Sequence, residues 1–146
     1  SYPDFYKVAV SSAGNHDNRN YEDDWGEKWQ GLLETYPDPI SGSANVLPGP
    51  RTSYDNQANQ LLAENLKGKL LLAHGLLDDN VPPSNTLLVV QALIEANKDF
   101  DLLLLPSARH GFGNSGYFMK KRWDYFVEHL QGVEPSSEFQ FADNIN

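Results

Sequence analysis

Two continuously apolar runs, at residues 69–73 and 101–106, constrain the fold of this chain more than any other feature of its sequence. A helical pattern lies between them, from Ser84, a candidate N-cap, to about residue 97. Strands that are apolar along their whole length are typical of parallel sheets, because crossover helices cover both faces. A strand–helix–strand order predicts a right-handed crossover within one sheet. The sequence therefore predicts an α/β fold with a parallel sheet whose strands are covered on both faces.

The outer parts of the sequence predict four further segments. A β-rich run at 7–12 predicts a strand, and a weak helical pattern covers 21–30. A further helix is predicted from Ser53, its candidate N-cap, to about residue 65. A last helix is predicted at 116–130, whereas four prolines and two glycines exclude regular structure at 36–50. The residues predicted to face inward are Ala58, Leu61 and Leu62 in the first helix after Ser53, Leu87, Val90, Leu93 and Ile94 in the next, and Met119, Trp123, Phe126, Val127 and Leu130 in the last.

Length and composition predict one folded domain. The 146 residues suffice for a single core, so we predict a domain at 1–131 and a C-terminal tail at 132–146. A net charge of −9 argues against a nucleic-acid partner, and no apolar run approaches the ~20 residues of a membrane span. The absence of cysteine from the sequence excludes disulfides, thiolate metal sites and a cysteine nucleophile.

No cofactor and no metal site are predicted. The sequence contains no glycine-rich phosphate loop, no dinucleotide fingerprint and no zinc-protease helix motif. His16 and Asp17 supply two potential metal ligands, but no third ligand follows at a suitable spacing.

Asp78 and His110 are the strongest candidates for chemistry, because each follows one of the two apolar strands. The carboxyl ends of parallel strands meet at one edge of a sheet, so the two loops should lie side by side. A carboxylate and a histidine that it orients are two of the three catalytic groups of a Ser-Asp-His hydrolase. Gly111 and Gly113 allow the loop that carries the histidine to bend. Each residue alone also fits an ordinary loop, since acids are common in turns and an isolated loop histidine is usually idle.

The third part of such a site, a serine in a Gly-x-Ser-x-Gly turn, does not occur in the sequence. Ser11, Ser12 and Ser115 do not meet this pattern. We therefore expect that the chain begins after its nucleophile. His74, which precedes a glycine at the end of its strand, is predicted to be packed beneath the strand end rather than to act in the site.

A family resemblance rests on these same residues. The segment 74–82, the helix after it, the run 100–106 and the pair at 110–111 resemble the end of the catalytic domain of prolyl oligopeptidase-type serine peptidases. Residues 3–31 resemble the segment that follows the nucleophile helix in the dipeptidyl peptidase IV-like branch. The resemblance covers most of residues 3–131, and it implies the C-terminal portion of an α/β-hydrolase fold that lacks its nucleophile elbow.

The resemblance also implies roles for individual residues. Asp78 and His110 correspond to the acid and the base of the catalytic triad. Asn80 stands where the family places a residue that contacts the carbonyl of the substrate's second residue. Tyr21 and Trp25 stand at the aromatic positions that wall a proline-sized pocket, although tyrosine is more usual at the second of them.

The function implied by the resemblance is amide hydrolysis through an acyl-enzyme, in a dipeptidyl aminopeptidase that prefers proline or a small residue. Two alternatives stay open: an acylaminoacyl-peptidase or esterase of the same fold, and a non-catalytic α/β binding module. The expected partners are a peptide substrate and a preceding part of the protein. The isolated chain is expected to be inactive and to self-associate through an open sheet edge. The sequence does not fix the compartment, and the resemblance favours a periplasmic or secreted one.

Overall fold

The computed structural model of the chain describes residues 2–36 and 51–138, which fall into two compact units. The described residues of 14–66 and 81–98 form the first, here called the helical unit. Those of 2–13, 67–80 and 99–138 form the second, here called the sheet unit. No helix within these described ranges is both long and apolar enough to cross a membrane.

The regular elements of the described residues follow the predicted order, with additional short elements. Short 3-10 helices lie at Asn18–Asn20, Asn59–Asn65 and Phe112–Asn114, and a π-helix lies at Val127–Gln131. The strands and α-helices in chain order are β1 (Val8–Ser12), α1 (Asp23–Gln30), β2 (Thr35–Tyr36), β3 (Arg51–Thr52), β4 (Lys69–Gly75), α2 (Ser84–Glu95), β5 (Asp101–Leu105) and α3 (Gly116–Phe126).

The sheet unit is built on three parallel strands in the order β1-β4-β5. The central strand β4 pairs with both neighbours, and its last five residues are buried. At the carboxyl end Gly75 lies opposite Leu105, so the loops after β4 and β5 start beside one another. The predicted parallel sheet is therefore confirmed, and so is the adjacency of the two loops.

The core of the sheet unit lies where α3 meets the sheet. Ala73, Phe112 and Phe118 form its buried centre, and the rings of the two phenylalanines meet edge to face with centroids 5.0 Å apart. The Ser115 hydroxyl caps α3 by accepting a hydrogen bond from the backbone N–H of Phe118. The partly buried hydrophobic residues around this centre are Val10, Ala13, Leu103, Leu105 and Ala108.

The prediction that both strands are covered on both faces holds for β4 and is wrong for β5. Leu102 is 39% exposed and Leu104 is 37% exposed, whereas Leu103 and Leu105 pack on the phenylalanine cluster. Successive side chains of a strand point to opposite faces, so one face of β5 is packed and the other is open. An unbroken run of leucines does not reveal this difference, because both faces are equally apolar in the sequence.

The predicted inward faces of α2 and α3 are wrong in part: Leu93 is buried as predicted, but four of the nine predicted residues are exposed. In α2 the buried residues are Asn85, Thr86, Val89 and Leu93, while Leu87 and Ile94 are exposed. The Asn85 side chain is buried because it accepts from the backbone N–H of Asp17 and donates to the carbonyl of Asn20. In α3 the buried residues are Phe118 and Tyr125, and the Tyr125 hydroxyl donates to Asp101 at 2.9 Å, while Trp123 and Leu130 are exposed.

The helix predicted from Ser53 to about residue 65 is replaced by a turn and a 3-10 helix at Asn59–Asn65. Asn56 has a φ of 64°, a left-handed conformation that cannot continue an α-helix. The Ser53 hydroxyl donates to the carbonyl of Leu32 and accepts from the N–H of Glu34, so it joins two chain segments and does not cap a helix. Of the segment 36–50 predicted to be irregular, residues 37–50 lie outside the described residues, as does 139–146 of the predicted tail.

Candidate active site

Asp78 lies in the turn that follows β4 in the sheet unit. Its backbone N–H donates to the carbonyl of Gly75 at 3.2 Å, and its side chain is 0% exposed. The two preceding N–H groups bind the neighbouring loop, Leu76 to the carbonyl of Leu105 and Leu77 to that of Ala108. These bonds hold the acid in a fixed place at the end of the sheet.

Gly75 is required where β4 meets the loop after β5. A Cβ atom at this position would lie 2.4 Å from the Ala108 carbonyl oxygen and 2.8 Å from that of Arg109. Backbone oxygens at such distances leave no room for any side chain. The glycine therefore permits the close approach that brings His110 over the end of β4.

His110 reaches Asp78 from this loop. Its Nδ1 lies 2.9 Å from Asp78 Oδ2, and its side chain is 43% exposed while the acid is fully buried. An ionised carboxylate only accepts hydrogen bonds, so Nδ1 carries the proton and donates to Oδ2. In the neutral ring this leaves Nε2 as the basic nitrogen. A buried acid behind a partly exposed imidazole can orient a general base.

Two further groups contact the Asp78 carboxylate. The backbone N–H of Asn80 donates to Oδ1 at 3.0 Å, and Nε2 of His74 lies 3.2 Å from Oδ2. The His74 side chain is 0% exposed, as its predicted position beneath the strand end requires. Sequence reasoning missed that this buried ring touches the acid. The signal that could have indicated it is the spacing of four residues across a tight turn.

An ion pair at the surface joins the loops that carry the acid and the base. The Arg109 guanidinium contacts the Asp79 carboxylate, and both side chains are exposed. Surface pairs of this kind contribute at most about 1 kcal/mol. The pair therefore supplements the buried contacts of Asp78 rather than replacing them.

Tyr21 and Trp25 lie together in the helical unit, at the start of α1. Their ring centroids are 6.5 Å apart in an edge-to-face arrangement. Trp29, which sequence reasoning did not single out, extends the pair, since its ring lies 5.8 Å from that of Trp25. Both tryptophans are exposed, and their spacing of four residues places them on one face of the helix. An exposed aromatic face can accept an apolar side chain of a ligand.

Asp17 is one of the two potential metal ligands noted in the sequence. Its carboxylate accepts hydrogen bonds from side chains of the helical unit. Arg19 forms a bidentate pair with it, and Gln57 and Gln60 each donate to it at 2.7 Å. Burial pushes its pKa up, but these donors outweigh burial and hold the pKa below its usual value. Among the described residues no group of three side chains could hold a metal ion.

The structure thus groups the predicted site residues in two places. Asp78, His110 and the backbone of Asn80 come together in the sheet unit, and the exposed Asn80 lies two residues after the acid. Tyr21 and Trp25 come together in the helical unit.

The chain is similar in sequence to two dipeptidyl peptidases. The chain is 31% identical over 124 residues to dipeptidyl peptidase family member 1 of Caenorhabditis elegans, covering 84% of this chain and 13% of that protein. It is 32% identical over 92 residues to dipeptidyl peptidase 4 of Bos taurus, covering 60% and 12%. The chain therefore spans about an eighth of the length of these relatives.

Solved structures agree with the fold. A Bacteroides ovatus protein classed as a dipeptidyl aminopeptidase IV superposes with a TM-score of 0.71 at 28% identity, over 88% of this chain and 16% of that one. An acylaminoacyl peptidase of Pyrococcus horikoshii superposes with a TM-score of 0.61 at 21% identity, over 95% and 22%, and supports the fold alone. The predicted α/β-hydrolase type of fold is confirmed.

The family model that matches covers nearly the whole chain. It is that of the prolyl oligopeptidase family, and it extends over residues 1–133. The predicted resemblance to prolyl oligopeptidase-type peptidases is thereby confirmed. The chain belongs to the prolyl oligopeptidase family.

Proposed function

We propose that this chain supplies the acid and the base of a serine-type peptidase, with Asp78 as the acid and His110 as the base. The observation that carries the proposal is the 2.9 Å contact between His110 Nδ1 and the buried Asp78 Oδ2, at the carboxyl ends of parallel strands. Catalytic groups of open α/β sheets lie at these ends. The nucleophilic serine is proposed to come from a part of the protein outside these residues.

The proposed reaction is amide hydrolysis in two steps. His110 Nε2 takes the proton of the serine hydroxyl as Oγ bonds to the substrate carbonyl carbon. The same proton passes to the leaving amine when the C–N bond breaks. Water then repeats the sequence on the acyl-enzyme, with His110 again as base and then as acid. Asp78 holds the Nδ1–H tautomer and stabilises the imidazolium formed in each step.

The proposed substrate is a peptide with proline or a small residue in the penultimate position. Tyr21 and Trp25 are assigned to the apolar side chain of that residue, because they form an edge-to-face pair in which Trp25 is exposed and Tyr21 is half-buried. Asn80 is assigned to a substrate carbonyl, since its amide is exposed one residue past the acidic pair. The names of the relatives, two of which are dipeptidyl peptidases, support this substrate class.

Residues 1–131 are proposed to act as one domain with 132–146 as a tail, completed by a preceding part of the protein. Among the described residues β1 pairs with β4 alone, so its outer edge is available for a further strand. An open edge of this kind pairs readily with another chain segment. In the complete protein we assign that place to the missing part of the peptidase domain.

An assay of amide hydrolysis tests the proposal. The product of the complete gene and the present chain are each incubated with glycyl-prolyl p-nitroanilide and with acetyl-alanyl p-nitroanilide. We expect the complete product to cleave the first substrate, the His110→Ala variant to lose the activity, and the chain alone to be inactive. His129→Ala is the matched control, because the His129 ring meets the ring of Tyr125 edge to face, away from the proposed catalytic groups.

The assay also tests the alternatives. Cleavage of the acetylated substrate alone would replace the aminopeptidase by an acylaminoacyl-peptidase. Hydrolysis of neither substrate by the complete product would favour an esterase of the same fold or a non-catalytic module. Turnover by the homogeneous chain itself would contradict the assignment of the nucleophile to another segment.

A further inference from the structure

A second imidazole shares the oxygen of Asp78 that His110 uses. Nε2 of His74 lies 3.2 Å from Asp78 Oδ2, and Nδ1 of His110 lies 2.9 Å from the same atom. The other carboxylate oxygen accepts from the backbone N–H of Asn80. The acid is thus approached from three sides by groups that can donate hydrogen bonds.

We propose that His74 is a positioning residue for the acid–base pair: its Nε2–H donates to Asp78 Oδ2 and fixes the direction in which the carboxylate faces His110. The inference rests on the proposed function, because it concerns how the acid of that site is oriented. Because the His74 side chain is 0% exposed, it is assigned to act through Asp78 and not on the substrate.

The backbone holds the His74 ring in place. His74 belongs to the central strand β4, where it lies opposite Leu104 of β5, and its side chain is 0% exposed. The close packing of protein interiors prevents such a ring from swinging away. Asp78 is four residues further on, across the turn closed by its own N–H on the carbonyl of Gly75. A rigid strand and a closed turn therefore set the distance between the two side chains.

The chemistry of the contact fixes the position of one proton. A carboxylate has acceptors and no donor, so a ring nitrogen that faces it at hydrogen-bonding distance must carry the hydrogen. His74 is therefore assigned a proton on Nε2. Without this donor Oδ2 would keep a single imidazole partner, and a buried acceptor would lose a bond that water cannot replace. The carboxylate could then turn about its Cβ–Cγ bond, and His110 would be held less firmly in the Nδ1–H tautomer.

Nitrogen-15 NMR of the chain, labelled in histidine, tests the proposed proton directly. The two-bond correlations of the ring distinguish a protonated from an unprotonated Nε2. We expect His74 Nε2 to be protonated near pH 7 and its proton to exchange slowly with water. An unprotonated Nε2 on His74 would overturn the proposal. This measurement uses the unaltered chain, so it does not depend on a variant that folds.

A pair of substitutions separates the hydrogen bond from mere packing. His74→Gln keeps an amide N–H near the position of Nε2, whereas His74→Leu is similar in size and removes the donor. We expect the downfield Nδ1–H signal of His110 to persist in His74→Gln and to be lost or exchange-broadened in His74→Leu. Equal His110 signals in the two variants would contradict a positioning role.

Kinetics on the complete gene product give a second readout. His74→Leu should lower kcat about tenfold to a hundredfold, the loss expected for one hydrogen bond to a charged group, with KM nearly unchanged. His74→Gln should recover most of that loss. If no version of the protein hydrolyses amides while the NMR results hold, the proposed function fails and the positioning contact stands. If the protein is active and His74→Leu matches the wild type, only the positioning role fails.

Discussion

Substitution of Gly75 by alanine should disturb the candidate site more than any other single methyl group added to the loops that carry it. The added Cβ would lie 2.4 Å from the Ala108 carbonyl oxygen, whereas ordinary van der Waals contacts begin at 3.4 Å. The backbone must therefore separate by about 1 Å. Ala108 is not free to move, because its carbonyl accepts from Leu77 and its N–H donates to Leu105. The clash is consequently transmitted into the loop that carries His110.

The expected cost follows from this overlap. Overpacking of a well-packed interior by one methyl group costs about 1–3 kcal/mol, and a backbone oxygen cannot rotate away as a side chain can. We expect Gly75→Ala to lower the free energy of unfolding by about 2–3 kcal/mol. For a domain of this length that corresponds to a Tm lower by roughly 4–12 °C. A shift of about 1 Å at His110 should also lower kcat of the complete product by about a hundredfold.

Urea unfolding followed by circular dichroism measures the stability, and the NMR signal of the His110 Nδ1 proton measures the contact with Asp78. Gly113→Ala is the matched control, because a Cβ there meets no atom within 4 Å and the residue has no left-handed φ. This control should leave stability unchanged or raise it by about 0.4–1 kcal/mol. A Gly75→Ala protein as stable as the wild type, with an intact His110 signal, would refute the reasoning.

Three further predictions concern other parts of the chain. The pKa of Asp17 is lowered from 3.8 in the folded state, so its contribution to stability is present above pH 4 and is lost as the pH falls through the lower folded pKa. The stability of Asp17→Asn should therefore depend less steeply on pH during acid unfolding, and an acid transition identical to that of the wild type would contradict this. Tyr125→Phe removes the 2.9 Å hydrogen bond to Asp101 and should lower the free energy of unfolding by about 1–2 kcal/mol. Urea unfolding measures this change, and an unchanged urea midpoint would contradict a contribution from this hydrogen bond. The isolated chain should self-associate in analytical sedimentation. Ala9 is exposed on the edge strand β1, so Ala9→Lys should weaken this association, and a monomer at every concentration would argue against pairing through this edge.

The main features of the sheet and of the acid–base pair follow from the sequence. Parallel strands were indicated by apolar runs and by the helix between them, and the loops after those strands meet because carboxyl ends share one edge. The contact between Asp78 and His110 is the direct result of this topology. It could be predicted because a buried strand followed by a polar loop is visible in a single sequence.

Features that depend on tertiary partners could not be predicted in this way. Part of the inward face of α2 was predicted wrongly, although Leu93 is buried as expected. Asn85 is buried because it makes two hydrogen bonds to a distant loop, and an apolar pattern does not indicate such bonds. The prediction of a helix after Ser53 was wrong because Asn56 adopts a left-handed conformation, which the spacing of leucines does not indicate. His74 was correctly predicted to be buried, but its contact with Asp78 depends on the geometry of a turn.

The most direct test of the central claim is the kcat of the complete gene product against its Asp78→Asn variant, measured with glycyl-prolyl p-nitroanilide. Asparagine keeps the size of the side chain but presents an amide that can hold His110 in the wrong tautomer. If Asp78 is the acid of the triad, kcat should fall by about 10⁴-fold, with KM changed only a few-fold. An Asp78→Asn protein that retains kcat within a few-fold of the wild type would contradict the assignment of the acid.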